Sequence, residues 1–157
     1  MTEKQSKRVF EFRHIYVKDV SFESPLSPDF FSKNKSSTGL DVDVNLQSRS
    51  LNDEKTDFEC VLGIRVTAKL ENDVIFLVEL AQAGVIEIQG FSDADIAMLL
   101  NIAAPNTLLP FARETISSLV SKGGFPQLLL KPLNFERIYQ QKLKADAEKA
   151  NQTHTEH

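Results

Sequence analysis

The chain has a single cysteine, Cys60. One thiol cannot close an internal disulfide, so no covalent staple holds the fold, and a reducing cytoplasm suits this composition. No apolar run approaches the ~20 residues that cross a bilayer, so membrane insertion is not expected. Residues 1–8 carry charge with no apolar core behind it, unlike a secretory leader. The net charge is −4 and basic residues are scattered, which argues against nucleic acid and favours a basic protein partner. No phosphate loop, G-x-G-x-x-G, G-x-S-x-G or C-x-x-C occurs. The chain therefore does not read as an enzyme, and no cofactor is expected.

Residues that could carry chemistry are few. His14 falls in a strand, and His154 and His157 fall in a polar tail that lacks the support a metal site needs. No metal is expected. Asp41 and Asp43 share one strand face and read as a solvated edge. Cys60 has no neighbouring base in the sequence and reads as core.

What is present is a patterned globular sequence. Its 157 residues, 41% apolar and 25% charged, suffice for one domain with a real core. The ordered body should span about 9–143, with a loose N-terminus and a polar C-terminal tail. A first strand reads from Val9 to Glu23. Its alternation slips at Ile15-Tyr16-Val17, which predicts a β-bulge. Leu40, Val42, Val44 and Leu46 then alternate with Asp41, Asp43, Asn45 and Gln47. Phe58, Cys60, Leu62, Ile64, Val66 and Ala68 alternate with Glu59, Arg65, Thr67 and Lys69. Period two marks half-buried antiparallel strands. Asn52-Asp53-Glu54-Lys55 and Glu71-Asn72-Asp73 are the turns.

The fourth run, 74–88, is apolar on both faces. Ile75, Leu77, Ala81, Ala83 and Val85 lie on one face, and Phe76, Val78 and Leu80 on the other. One helical layer covers one face, so a partner subunit is the economical cover for the other.

Ser92-Asp93-Ala94-Asp95 starts a helix with a capping-box-like signature. Ile96, Leu99, Leu100 and Ala103 form its stripe, and Pro105 should stop it. Asn106 should cap a second helix, which ends at Lys122 with Gly123 or Gly124 in the left-handed conformation. The segment 125–133 is apolar and proline-rich, and should lie extended on a packed surface. A last, short helix starts at Asn134 and carries Phe135, Ile138, Tyr139 and Leu143. Beyond Lys144 no apolar face remains, so it should fray. The fold class is α+β: a four-stranded antiparallel sheet, two C-terminal helices on one face, and a short C-terminal helix.

Two blocks carry a family likeness: Ile15-Tyr16-Val17-Lys18-Asp19-Val20-Ser21-Phe22-Glu23-Ser24-Pro25, and the stretch from Ala104-Pro105-Asn106 through Phe125-Pro126-Gln127 to Phe135. Together they resemble the SecB family of protein-export chaperones. The likeness weakens across 29–57, where Lys33, Lys35 and serines stand in place of the family's usual tryptophan. It is absent from the tail.

The resemblance implies an ATP-independent cytoplasmic chaperone that holds unfolded secretory precursors and delivers them to the ATPase SecA, assembled as a homotetramer, a dimer of dimers. Carried over by position, it implies client contacts at Phe30, Phe31, Leu40, Val42 and Val44. It implies docking of the zinc-containing SecA C-terminal segment at Asp19, Glu23, Leu77 and Glu79, the zinc belonging to SecA. It implies an oligomer interface near Val78, Leu80 and Gln82.

The residues alone leave Phe30 and Phe31 open to two readings: folded-back core, or the wall of a groove for extended apolar chain. Two alternative functions also stand. One is a SecB-like chaperone dedicated to a single client such as a toxin–antitoxin pair. The other is an oligomeric small-molecule binder.

Overall fold

The computed structural model describes residues 7–33 and 38–153. Readings that fall on residues 1–6, on Lys35, Ser36 and Ser37, and on His154 and His157 lie outside the described residues. Four antiparallel strands, β1 (Val9–Glu23), β2 (Gly39–Ser50), β3 (Asp57–Leu70) and β4 (Asp73–Gln89), form one sheet in the order β1-β4-β3-β2. β2, β3 and β4 follow one another through short turns and pair as a meander. β1 crosses to the far side of β4, so β1 and β2 are the two edges.

The alternating residues fall as the period demands. Cys60, Leu62, Ile64 and Val66 of β3 share a face with Val78, Leu80 and Ile86 of β4, and all are buried. A long helical segment lies over this face. It comprises α1 (Asp93–Met98), a π-helical turn (Leu99–Ala103) and α2 (Ala104–Lys122). Ser92 caps α1 by accepting from the Asp95 N–H at 3.2 Å. Leu100, Ala104, Leu108, Ala112, Ile116 and Val120 pack against the sheet. Contrary to the sequence expectation, an 18-residue stretch within residues 93–122 reaches a mean hydropathy of 1.2, long and apolar enough by composition alone to cross a membrane. Their buried stripe is the one that seals the core.

Pro105 does not stop this helix, and Asn106 caps nothing. The expected break is replaced by the π-helical turn, in which the Ala104 N–H bonds the Leu99 carbonyl. The wider turn makes room for the proline ring. It also sets the Leu100 carbonyl opposite a nitrogen that carries no hydrogen. The buried Cys60 thiol donates to that carbonyl at 3.8 Å. Burial, then the Glu59 charge, pushes the thiol up to about 12, so it stays a donor rather than a thiolate.

α2 ends in a Schellman motif. The Phe125 N–H bonds the Val120 carbonyl, the Gly124 N–H bonds Ser121, and Gly124 takes φ 86°. Of the two candidate glycines, Gly124 is therefore the left-handed one. Residues 126–134 then carry no helix or strand, and the Asn134 side chain accepts from the Arg137 N–H and caps α3 (Phe135–Thr153). α3 is longer than the short helix expected and continues past Lys144. Its Ala, Glu and Lys residues favour helix even where nothing packs on them.

Candidate functional site

The predicted slip in β1 is two bulges. Arg13 and Lys18 are extra residues with no partner on β4, on either side of the Ile15-Tyr16-Val17 run. Each bulge reverses the alternation, so Phe10, Phe12, Ile15, Val17, Val20 and Phe22 all reach the helix side. Between them, His14, Tyr16, Asp19, Ser21 and Glu23 face outward.

That outer face gathers the four docking candidates. Asp19 lies opposite Ala81 and Glu23 opposite Leu77, while Glu79 sits opposite Ser21, between the two acids. Asp19, Glu23 and Glu79 are exposed and Leu77 is half-buried. Glu79 pairs with Arg65 at 2.9 Å, both about half exposed, a pair weak enough to exchange for another cation. Asp19, Arg65 and Glu79 border a shallow depression of about 350 Å³ whose floor includes Gly63 and Ala81.

Beside it lies a cluster that sequence reasoning missed. The Glu59 carboxylate is 6% exposed on the outer face of β3. It accepts from the Tyr16 hydroxyl, from Lys18 Nζ at 2.9 and 3.1 Å, and from Arg49 Nε at 3.1 Å. Tyr16 and Lys18 reach it from β1 across β4, where Ala81 and Ala83 leave room. The donated hydrogen bonds, Tyr16 first and then Lys18, outweigh burial and hold Glu59 down to about 2. Burial and the same carboxylate raise the Tyr16 phenol to about 12. The Arg49–Glu59 pair was within reach of the hairpin register. The contacts from β1 join residues more than forty apart and left no local signal.

This cluster corrects the argument for β4. Its outer face is not bare: Ala83 is buried within the protomer, and Ala81, Val85 and Leu77 are half-buried. Ile75 is the extra residue of a third bulge and is buried rather than presented outward with Leu77. The interface candidates Val78, Leu80 and Gln82 lie on the opposite face, nearly inaccessible in a single protomer. Gln82 Nε2 donates to the Tyr16 carbonyl at 3.1 Å.

The client candidates divide. Phe30 is buried, one of five rings (Phe22, Phe30, Phe31, Phe76 and Phe125) with centroids 5.0–6.4 Å apart. It therefore takes the core reading. Phe31, Leu40 and Val42 stay open at 45%, 46% and 41%, and Val44 is half-buried. One helical layer is narrower than four strands, so the described residues leave the β2 side of the helix face uncovered. Leu40, Phe76, Phe125 and Leu128 line an apolar groove there of about 360 Å³, with Phe30 in its wall. Phe76, Phe125 and Leu128 were not singled out in sequence, because apolar strand and linker residues look like ordinary core. Among the described residues no group of three metal-ligating side chains occurs.

Comparison with known proteins points one way. The family model described as Preprotein translocase subunit SecB matches residues 3–146. The chain is 43% identical to the Protein-export protein SecB of Hydrogenovibrio crunogenus, over 97% of this chain and 100% of the relative. It is 41% identical to that of Methylococcus capsulatus, over 93% and 92%. In fold it resembles a SecB-like chaperone of Mycobacterium tuberculosis, solved in complex with a ChAD peptide from the HigA1 antitoxin. The TM-score is 0.66 at 11% identity, over 80% of this chain and 91% of that one.

Proposed function

Because this chain belongs to the SecB family, we propose that it is an ATP-independent cytoplasmic holdase that keeps precursor proteins unfolded and hands them to SecA. The observation that carries this reading is the separation of two unlike surfaces on one sheet. Leu40 lines an apolar groove on the helix side and Phe31 and Val42 are further exposed apolar residues, while exposed carboxylates (Asp19, Glu23, Glu79) stand on the outer side. Apolar burial is non-directional, worth about 25 cal/mol per Å², so such a groove accepts extended chain without reading its sequence. Carboxylates on neighbouring strands attract lysine and arginine and set register. A basic, zinc-containing SecA segment fits them, with its zinc brought by SecA.

The reading includes a homotetramer, a dimer of dimers. Val17 and Val20, exposed on the helix side of β1, are its nearest uncovered apolar residues to Val78, Leu80 and Gln82. Those three, being covered already, would act on assembly through β1. General export is preferred to a single dedicated client because the full-length likeness is to export proteins. The antitoxin-bound neighbour shares only the fold.

The test separates the surfaces. Asp19→Lys or Glu79→Lys should weaken binding of the zinc-loaded SecA C-terminal peptide by about tenfold or more, a charge reversal at a contact. Capture of a denatured client should stay near wild type. Equal loss of both activities, or of neither, would contradict the assignment.

A further inference from the structure

Fifteen residues of β1 face thirteen of β4, so two must be left over. Where the second is left over decides where Asp19 points. Phe22 is packed near Phe76 and Phe125 and fixes the phase at the end of the strand. It does not fix the position of the bulge between Tyr16 and Phe22. With Lys18 as the extra residue, Asp19 stands opposite Ala81 on the outer face. Were the extra residue Val20 instead, Lys18 would occupy the place opposite Ala81. Asp19 would then turn toward the helices opposite Leu80, while Ser21 and Glu23 would stay where they are.

Two side chains grip β1 at the Lys18 bulge. Glu59 binds its Nζ through both carboxylate oxygens from the outer face. Gln82 holds the Tyr16 carbonyl from the helix face. The other bulge is built alike: its extra residue, Arg13, binds Glu87 of the neighbouring strand.

We propose that Glu59 is a positioning residue for the docking face, pinning the bulge at Lys18 so that Asp19 is turned outward. The role in docking rests on the reading of Asp19 as a SecA contact. The pinning itself does not, and the two are tested separately.

Orientation is read by labelling Asp19→Cys with a charged maleimide, Cys60 being fully buried. Adding Glu59→Ala should slow labelling at least about fivefold, as the new thiol turns inward. Lys18→Met, which leaves Glu59 with Tyr16 and Arg49, should do the same if Glu59→Ala fails to fold. Deleting Lys18 removes the extra residue, so labelling should stay fast with or without Glu59. Labelling unchanged by both Glu59→Ala and Lys18→Met would overturn the proposal.

Docking is read with the zinc-loaded SecA C-terminal peptide. Lys18→Met should weaken it about as much as Asp19→Asn does, although losing a cation beside an acidic face would by charge alone tighten a basic peptide. Wild-type affinity in Lys18→Met, with a weakened Asp19→Asn, would remove the positioning role and leave the docking reading standing. Wild-type affinity in Asp19→Asn would remove the docking reading, and the labelling result would then decide the pinning alone.

Discussion

Glu59 is a charged residue almost shut off from water. A carboxylate almost closed off from solvent stays charged because Tyr16, Lys18 and Arg49 all donate to it. Its folded value of about 2 lies below the ordinary 4.5, so the unfolded chain takes up the proton first as pH falls. The stabilisation is therefore complete above about 4.5 and is lost as pH drops toward 2. Replacing Glu59 by Gln should flatten the acid dependence of the urea midpoint across that window and lower stability at neutral pH by about 1–3 kcal/mol. Wild-type and variant curves that run parallel through the window would show that the cluster is not the acid-sensitive element.

At the scale of elements, local patterning was legible and long-range geometry was not. The period-two runs of β2 and β3, the Ser92 capping signature, the helix start at Asn134 and the glycine stop after Lys122 were all readable. Each is a matter of side-chain spacing or a single backbone requirement. The Ile15-Tyr16-Val17 slip announced a bulge but could not show that there were two, or that each extra residue is a cation held by a glutamate. Pro105 misled because a proline in a helix interior is a stop only if the turn before it stays α-helical, and here that turn is π-helical. The docking carboxylates came from the family likeness, and the groove was half seen. Phe30 and Phe31 stood out in a polar stretch and Leu40 came from the family likeness, whereas Phe76 and Phe125 did not stand out.

α3 poses its own test. Phe135 is its only buried residue among those described, and every described residue after Tyr139 is exposed. Truncation after Lys144 should leave the assembly intact and lower the melting temperature by no more than about 3 °C. A larger drop, or loss of the oligomer, would mean that the tail packs on another subunit.

At the scale of the whole molecule, one layer of helix covers the middle of a sheet too wide for it. The uncovered apolar margins lie on opposite sides. Val17 and Val20 flank the β1 edge, and Leu40 and Val42 flank the β2 edge beside the ring cluster. In the proposed assembly sister subunits cover the first margin, while the second stays open to clients. The outer face with its exposed carboxylates carries neither margin, and in the proposed function it is the face that takes the basic partner.

The central claim is that this open margin captures unfolded chain without nucleotide. Light scattering during refolding of a slow-folding, denatured protein tests it most directly, with stoichiometric chaperone and no ATP. The account predicts that scattering is suppressed, that Leu40→Asp with Val42→Asp abolishes the suppression, and that the same client once folded is not bound. Scattering that rises as fast with the chaperone as without it would contradict the account.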